Sequence, residues 1–571
     1  MASGAMAERS EPLVGENAEA EQSFYKNEIK TMCGIGWPML ISFFCRFGMA
    51  SEDSAFVGHI ASTAKFLTTG HSVLSIGASL LGYGFLAAKG AAEGALGYGP
   101  MDYLAAAGLS DMVTNILIIP PLAFNQSLNA LVSQAMGSGN KKMAGTWLQL
   151  SVLWLTLGYS VTLASFFFVS PMLKLLGFSS DVCELAGMYA KYNVFWPIPN
   201  GWYQCMRFYF QAQGITKPAM YNNIIFLAVN ALLNWVLVFG GPFRAWGWYG
   251  FGFIGAALSL SCSRTLQPLA YWLYMFWWRK AHLDTWPSLS QKTYLTKEHV
   301  KNFMAMSLPQ MGTLIFQAVV GQATTLMIAK LGTEAVAASS AAAAATMVFT
   351  GGLSPTLSMV GGMRVGYYLG KGQAEHARRV GMLALLLGAM LTTAIAAVYL
   401  PFGKYILHVV TKDEKVDVPA TTILPAIMMN LIASIMVSVG TQGILTSQGR
   451  TKAVTLLSMG FDLPFSVGST ALMVFYFQAS LNVVYWVQAA VSFVEAAVIL
   501  VIIRWSDWAG LARQARSRQG MDRPQDDAEA GGISASDIPE DLRASGISLQ
   551  PPADKDTGTE ANPATPSLMG G

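Results

Sequence analysis

The feature that most constrains this chain is a succession of apolar stretches long enough to cross a membrane. About twelve such stretches occur, each close to the roughly 20 residues that a spanning helix needs. Only 12% of the residues are charged, whereas soluble domains average about 25%, so the pattern predicts an all-α polytopic membrane protein. The predicted spans are 31–58, 103–136, 141–169, 183–211, 217–240 and 252–278 in the first half, and 297–330, 334–364, 375–402, 416–447, 451–477 and 481–504 in the second.

Composition and motifs exclude several other classes of protein. The net charge of +3 is too small to indicate nucleic-acid binding, and the five cysteines lack the CxxC spacing of a disulfide framework or a metal site. The sequence contains no P-loop and no HExxH motif. We therefore expect a protein of the lipid bilayer that is not an enzyme and has no cofactor.

Three segments outside the spans are polar. Residues 1–30 are acidic and are predicted to be a disordered N-terminus without a cleavable signal peptide. Residues 279–296 are predicted to form a cytoplasmic loop, and residues 506–571, rich in Asp, Ser, Pro and Gly, a disordered cytoplasmic tail. Lys and Arg concentrate in the loops that follow even-numbered spans, which predicts that both termini are cytoplasmic.

The two halves of the chain repeat one another. The run Gly137-Ser-Gly-Asn-Lys resembles Gly370-Lys-Gly-Gln-Ala, and Gln213-Gly-Ile-Thr-Lys resembles Gln448-Gly-Arg-Thr-Lys at nearly the same offset. Since each half has an even number of spans, both halves have the same orientation. The repeat predicts two six-helix lobes, 31–278 (N-lobe) and 297–505 (C-lobe), related by a pseudo-twofold axis along the membrane normal, with a cavity between them. Because one chain carries both lobes, a monomer suffices.

The first half carries an inserted stretch, residues 59–101, that the second half lacks. It is rich in Gly and Ala, and its apolar part is short for a full span. We expect an extracytoplasmic hairpin or re-entrant segment near the cavity mouth, with a pair of very short spans as the alternative.

Charged residues within the spans are candidates for function, because each costs roughly 3 kcal/mol or more at membrane depth. Arg46 and Asp53 lie nearly on one face of the first predicted helix, two turns apart, whereas Glu52 points elsewhere. We expect Asp53 to be an ion-coupling carboxylate that binds H+ or Na+. The alternative is a helix end at the interface, with Arg46 and Glu52 reaching water.

Three further acids lie within predicted spans. Asp111 would place a second carboxylate in the N-lobe, and two such groups, if close, suit proton exchange because they repel one another. Asp462 and Glu495 are candidates for cation contact in the C-lobe cavity. For each acid the alternative is an interfacial or ion-paired position. We expect the arginines within the spans to be charge partners of these acids; they are Arg46, Arg207 and Arg264.

Several stretches together resemble the multidrug and toxic compound extrusion (MATE) family. They occur in the family's order and cover about residues 31–505. The resemblance implies a secondary antiporter that exports small organic, often cationic, compounds in exchange for protons or sodium by alternating access. Asp53, in D-S-A-F-V-G, falls where bacterial members carry an aspartate. The stretches are LNALVSQAMGSGN (128–140), QCMRFYFQAQGITKP (204–218), NALLN (230–234), MRVGYYLGKGQAEHAR (363–378) and QGILTSQGRTK (442–452).

The chain departs from the family pattern in its seventh span. Eukaryotic members usually carry glutamates there, whereas this chain has Gln317 and Gln322. An amide cannot exchange a proton near neutral pH, so proton coupling in the seventh helix is not supported. Both glutamines are candidates to line the substrate cavity or to join helices. Asn230 and Asn234 are further cavity candidates, and Asn234 stands where one bacterial branch has an aspartate.

Two other functions remain open from the sequence. One is an uncoupled facilitator or an exporter of organic anions, with the three arginines facing the cavity. The other is a non-transporting membrane scaffold or sensor that acts through its C-terminal tail. Either a plasma membrane or a vacuole-like organelle is compatible with the sequence.

Overall fold

The computed structural model describes residues 11–67, 100–287, 296–410 and 414–521. Within these ranges the chain forms helices and connecting turns, without a β-strand. The helices of the first half are α1 (Glu11–Leu67), α2 (Pro100–Ile118), α3 (Ala123–Ser138), α4 (Lys141–Phe166), α5 (Val169–Leu175), α6 (Ser180–Tyr192), α7 (Pro197–Ala212), α8 (Lys217–Phe239) and α9 (Phe253–Trp272, continued by a π-helical turn Leu273–Trp278).

The second half is likewise helical. Its helices are α10 (Lys297–Ala329), α11 (Thr333–Val348), α12 (Ser354–Lys371), α13 (Ala374–Val410), α14 (Glu414–Ser438), α15 (Thr451–Leu457), α16 (Gly468–Ala471), α17 (Leu481–Arg504) and α18 (Trp508–Arg518), with π-helical segments Phe349–Leu353, Val439–Leu445, Ser458–Val467 and Leu472–Tyr476 between them.

The structure confirms the all-helical membrane fold. Eight helices among the described residues are long and apolar enough to span a membrane, and ten if two bent helix pairs each form one span. The bent pairs are α2 with α3, at 46°, and α11 with α12, at 43°. Prolines at 120 and 121 form the first bend, since proline lacks the N–H that would continue the helix. The bends occur at the same place in each half, as expected for a repeat.

The ends of the membrane domain differ from the sequence prediction. Helix α1 begins at Glu11, so residues 11–30 are helical, although residues 1–30 were predicted to be disordered. The predicted tail, 506–571, begins with a helix, α18. Residues 68–99, which contain most of the predicted insertion hairpin, lie outside the described part of the chain, as do residues 1–10 and 522–571.

Each half inserts the start of its first helix into the opposite lobe. Met32 and Met39 of α1 lie in the C-lobe core, whereas the rest of α1 packs on α8 in the N-lobe. Phe303 and Met306 of α10 lie in the N-lobe core, where Phe303 stacks on Trp147 with ring centroids 6.4 Å apart. This reciprocal exchange is consistent with the pseudo-twofold relation between the lobes.

The lobes meet closely at the end where α3 leads into α4 and α12 into α13, here called the basic end because both turns carry lysine. A Cβ atom on Gly137 would lie 1.9 Å from the carbonyl oxygen of Tyr367, and one on Gly370 would lie 2.1 Å from that of Gln134. Only glycine allows this approach of two backbones. The repeated glycine motifs of the sequence therefore form the contact between lobes.

Helix α18 covers the basic end and is anchored in the C-lobe. Trp508 and Leu511 belong to the C-lobe core. Arg516 donates to the Lys371 carbonyl at the end of α12, and Arg518 to the Gln448 carbonyl, each at 3.5 Å.

The residue after α18 reaches the other lobe. Gln519 is fully buried; its Oε1 accepts from Trp147 Nε1 at 3.0 Å, and its carbonyl accepts from Asn140 Nδ2 at 2.8 Å. The segment that follows the last spanning helix thus connects both lobes.

Candidate functional site

Asp53 is buried where α1 packs on α8, with 7% of its surface exposed. Its Oδ1 accepts hydrogen bonds from Asn230 Nδ2 at 2.9 Å and from Asn234 Nδ2 at 2.7 Å. The two asparagines are four residues apart and therefore lie on one face of α8. Both were predicted to line the cavity, and in the structure both hold the carboxylate.

Glu52 is a neighbour of this site, contrary to the prediction that it points elsewhere. The Asn230 amide also lies 3.4 Å from Glu52 Oε2. Asp111 of α2 is close enough to Asp53 to interact electrostatically, and Tyr189 of α6 is close to both aspartates. The structure therefore brings the two predicted N-lobe acids together, from α1 and α2.

The three arginines lie in the same lobe but form no ion pair with these acids within 4 Å among the described residues. Arg264 of α9 is close enough to Asp53 for electrostatic attraction, and Arg46 is close to both Arg264 and Arg207. Arg207 of α7 donates to Gln204 Oε1 at 2.7 Å. The arginines were expected to be charge partners of these acids; Arg264 is within electrostatic range of Asp53 without forming a direct ion pair.

The predicted glutamines of the seventh span, Gln317 and Gln322, are exposed on α10. The buried polar contact on this helix is made by Gln310, whose Nε2 donates to Gln126 Oε1 at 2.5 Å and also to Gln442 Oε1. These three amides join α10 to α3 and to the π-helical segment after α14. Sequence reasoning missed Gln310, although its position directly after Pro309 was a usable signal.

Asp462 and Glu495, the candidate acids of the C-lobe, lie on neighbouring segments. They are half-buried and close enough to interact electrostatically. Asp462 belongs to the π-helical segment Ser458–Val467, which contains Pro464, and Glu495 lies on α17. The structure thus places an acid pair in each lobe, but only the N-lobe pair has a member that is almost fully buried.

The Asp53 site has the chemistry of a monovalent-cation site. The carboxylate has no cationic partner within ion-pair distance among the described residues, and its amide donors favour the ionised form. The Oδ1 atoms of Asn230 and Asn234 lack hydrogen-bond partners in the described structure. Carboxylate and amide oxygens are hard ligands, so the cluster could take up either a proton or an alkali-metal ion.

Comparison with known proteins gives consistent matches. The MatE family model matches residues 94–236 and 309–467, more than half of the chain. Multidrug and toxin extrusion protein 1 of Xenopus tropicalis is 24% identical over 396 residues, which cover 68% of this chain and 66% of the frog protein. The chain therefore spans slightly less than two thirds of that relative's length.

Solved structures show the same fold. The eukaryotic MATE transporter AtDTX14 superposes with a TM-score of 0.70 at 17% identity, over 87% of this chain and 100% of that one. A MOP superfamily transporter from Pyrococcus furiosus, described as having a binding pocket of reverse polarity, superposes with a TM-score of 0.67 at 16% identity, over 85% and 96% of the two chains.

These matches confirm the two-lobe helical fold and the multi-pass membrane location expected from the sequence. The family model covers both halves of the chain, including the α3 and α12 motifs that bring the lobes together. The chain belongs to the MatE family.

Proposed function

We propose that the protein is a secondary active exporter of small organic compounds, in exchange for H+ or Na+, with Asp53 as the coupling acid. One observation carries this proposal: a nearly buried carboxylate accepts two amide hydrogen bonds and has no ion-pair partner among the described residues. A buried charge without a partner is costly, so it is retained for a task. Relatives with names that refer to multidrug and toxin extrusion support the substrate class.

Ion binding at Asp53 changes the charge at the contact between α1 and α8. The ionised carboxylate attracts the Asn230 and Asn234 amides, whereas protonation removes that attraction and Na+ competes for the oxygens. The two states of the site therefore favour different packing of α1 on α8. An ion that binds the two packings unequally shifts the equilibrium between them.

Helix α1 connects this site to the opposite lobe. Its N-terminal part lies in the C-lobe core, and Glu28 forms an ion pair with Arg364 of α12, Arg364 Nη2 lying 2.6 Å from Glu28 Oε1. A change in the α1–α8 contact is thus transmitted to the contact between lobes. With the basic end in the cytoplasm, as the positive-inside rule predicts, the described state is closed toward the cytoplasm.

Neither Gln317 nor Gln322 can carry a proton on its side-chain amide. Both also lie exposed on α10, away from the buried polar contacts of that helix. We therefore propose coupling in the N-lobe rather than in α10, with Asp111 as a second carboxylate that modulates Asp53. Asp462 and Glu495 are proposed to contact cations in the C-lobe cavity.

The test is uptake into proteoliposomes under an imposed pH gradient or an imposed Na+ gradient. A fluorescent organic cation and radiolabelled succinate serve as probes, so that the result does not depend on the charge of the substrate. We expect one of the two gradients to drive uptake at least tenfold above the rate without a gradient. Asp53→Asn should abolish this stimulation while leaving the amount of folded protein unchanged.

Asp181→Asn, at an exposed aspartate in the first turn of α6, is the matched control and should retain full stimulation. Gradient-driven uptake by Asp53→Asn at the wild-type rate would remove Asp53 from coupling. Uptake that ignores both gradients in the wild type would instead identify a facilitator.

A further inference from the structure

The N-lobe contains buried positive charge that the coupling site does not use. Arg207 is 1% exposed, and its Nε and Nη1 atoms lack hydrogen-bond partners among the described residues. Its guanidinium lies over the rings of Phe43 and Phe208, at 5.0 and 4.7 Å from their centroids, and donates to Gln204. Phe43 lies three residues before Arg46 on α1, and Arg207 is within electrostatic range of Arg46.

A second arginine and two phenols extend this unpaired set. Arg46 Nη1 is buried without a partner in the described structure, as are the hydroxyls of Tyr159 and Tyr271. Tyr159 is within electrostatic range of Arg46, and Tyr271 of Arg207. Gln211, one turn after Arg207, is fully buried, and neither of its amide atoms has a partner among the described residues.

Hydrogen-bond donors in this region outnumber acceptors. Guanidinium groups can only donate, and acceptors are few: Gln204 Oε1 already binds Arg207, and Asn223 Oδ1 already accepts from both Tyr203 and Gln267. The Gln211 Oε1 atom is an unpaired acceptor among the described residues, but it is a single neutral oxygen for two guanidinium groups. No carboxylate pairs with Arg46 or Arg207 in the described part of the chain. Buried donors and charges without acceptors require a partner from outside the chain.

We infer that the N-lobe binds a small organic carboxylate between Arg46 and Arg207, which gives the transporter an anionic substrate site separate from Asp53. A planar guanidinium can donate two parallel hydrogen bonds to one carboxylate, so arginine favours this ligand over a spherical anion. The phenol groups of Tyr159 and Tyr271 supply further donors. Arg264 is within electrostatic range of both Arg46 and Asp53.

This inference rests on the proposed transport function and names one substrate class for it. The cation site at Asp53 and the anion site at Arg46 and Arg207 can both lie in the N-lobe. A cation at Asp53 and an anion at Arg46 and Arg207 have opposite charges and bind different side chains. The exchanged ion and the exported compound then bind at different residues and are distinguishable by substitution.

The experiment is equilibrium binding of radiolabelled succinate to the full-length protein in nanodiscs, without an ion gradient. We expect saturable binding to wild type, and at least tenfold weaker binding to Arg207→Gln and to Arg46→Gln. Arg207→Lys keeps the charge but lacks the planar fork, so it should bind more weakly than wild type yet better than Arg207→Gln. Arg244→Gln, at an exposed arginine between α8 and α9, is the matched control and should bind like wild type.

Each further outcome decides the inference. Wild type that binds no succinate, or variants that all bind equally, would overturn it. Displacement of succinate by chloride at equal concentration would also overturn the carboxylate assignment, since a halide site needs no planar fork. Succinate binding is measured without an ion gradient and without uptake, so a failure of the coupling proposal leaves this result unaffected. Should the glutamine variants fold poorly, wild-type binding and the lysine variant still test the site.

Discussion

At Asp53, two amide donors on one face of α8 hold a single carboxylate oxygen, and each should matter to the coupling ion. A hydrogen bond to a charged group contributes about 1.5–3 kcal/mol. Removing Asn234 destabilises the ionised carboxylate, the form that holds Na+, and also removes an amide oxygen, unpaired in the described structure, that could bind the ion. If Na+ is the coupling ion, Asn234→Ala should raise the Na+ concentration for half-maximal uptake about tenfold or more. The measurement is the Na+ dependence of initial uptake rates in proteoliposomes.

The same helix supplies the control for this residue. Asn222 lies on α8, and its amide contacts the Gln267 carbonyl at 3.5 Å rather than Asp53. Asn222→Ala should leave the half-maximal Na+ concentration unchanged. An Asn234 variant with unaltered Na+ dependence would mean that Na+ does not bind at this carboxylate.

At the scale of helices, the spans could be predicted from the sequence and several ends could not. Apolar length alone defines a span, because an unpaired backbone cannot enter the bilayer core. Residues 11–30 were predicted to be disordered because they are acidic. Their helix is stabilised by distant partners instead: Glu21 pairs with Arg379 and Glu28 with Arg364. Helix α18 was also missed. Its buried face contacts both lobes and includes polar as well as apolar side chains, so it is not apolar throughout.

The candidate site was predicted in part. Asp53 and Asp111 stood out because acids are rare in spans, and the structure brings them together. The hydrogen bonds from Asn230 and Asn234 to Asp53 could not be predicted, and neither could the Gln310 contacts. Both depend on which helix faces pack together. Neither periodicity nor composition contains that information.

The pair Glu28–Arg364 is the clearest ionic contact between α1 and the C-lobe. The Glu28 side chain is 6% exposed; Arg364 donates to both of its oxygens, and the Tyr368 hydroxyl donates to it at 2.6 Å. Removing one partner of a buried pair costs about 3–5 kcal/mol, because the other charge stays buried. Glu28→Gln should therefore lower the thermal unfolding midpoint markedly, as measured by tryptophan fluorescence in detergent.

An exposed acid provides the comparison. Glu375 pairs with Arg378 and Arg379, but its side chain is 57% exposed. Exposed pairs contribute about 0–1 kcal/mol, so Glu375→Gln should leave the midpoint nearly unchanged. Equal shifts for the two variants would contradict a structural role for the Glu28 pair.

For the whole molecule, the segment after the last spanning helix should favour the state that is closed at the basic end. Gln519 follows a helix anchored in the C-lobe and accepts hydrogen bonds from Trp147 and Asn140 of the N-lobe. These bonds break if the lobes separate. A buried unpaired donor costs about 1–3 kcal/mol, so Gln519→Ala should increase the separated population about tenfold. Maleimide labelling of Ser133→Cys, at a buried position of the contact and with the exposed Cys33 and Cys262 replaced by Ser, reports that population.

Gln514→Ala, at an exposed residue of α18, should leave the labelling rate at the wild-type value. A Gln519 variant that labels no faster than this control would show that the segment does not hold the lobes together.

Under the proposed transport by alternating access, the lobes must separate at the basic end in every cycle, and one covalent bond can test this. A Cβ atom on Gly366 of α12 would lie 3.0 Å from the Cβ of Ser133 on α3, close to the roughly 3.5–4.5 Å that a disulfide spans. Ser133→Cys with Gly366→Cys, in a background with the exposed Cys33 and Cys262 replaced by Ser, should therefore cross-link on oxidation. Oxidised protein should lose at least nine tenths of its gradient-driven uptake and regain it on reduction, whereas either single cysteine should be insensitive to oxidant. Because the cross-link joins two helices from opposite lobes and touches neither Asp53 nor the arginines, lost uptake would reflect blocked separation. Full uptake by the cross-linked protein would mean that substrate passes without this end opening.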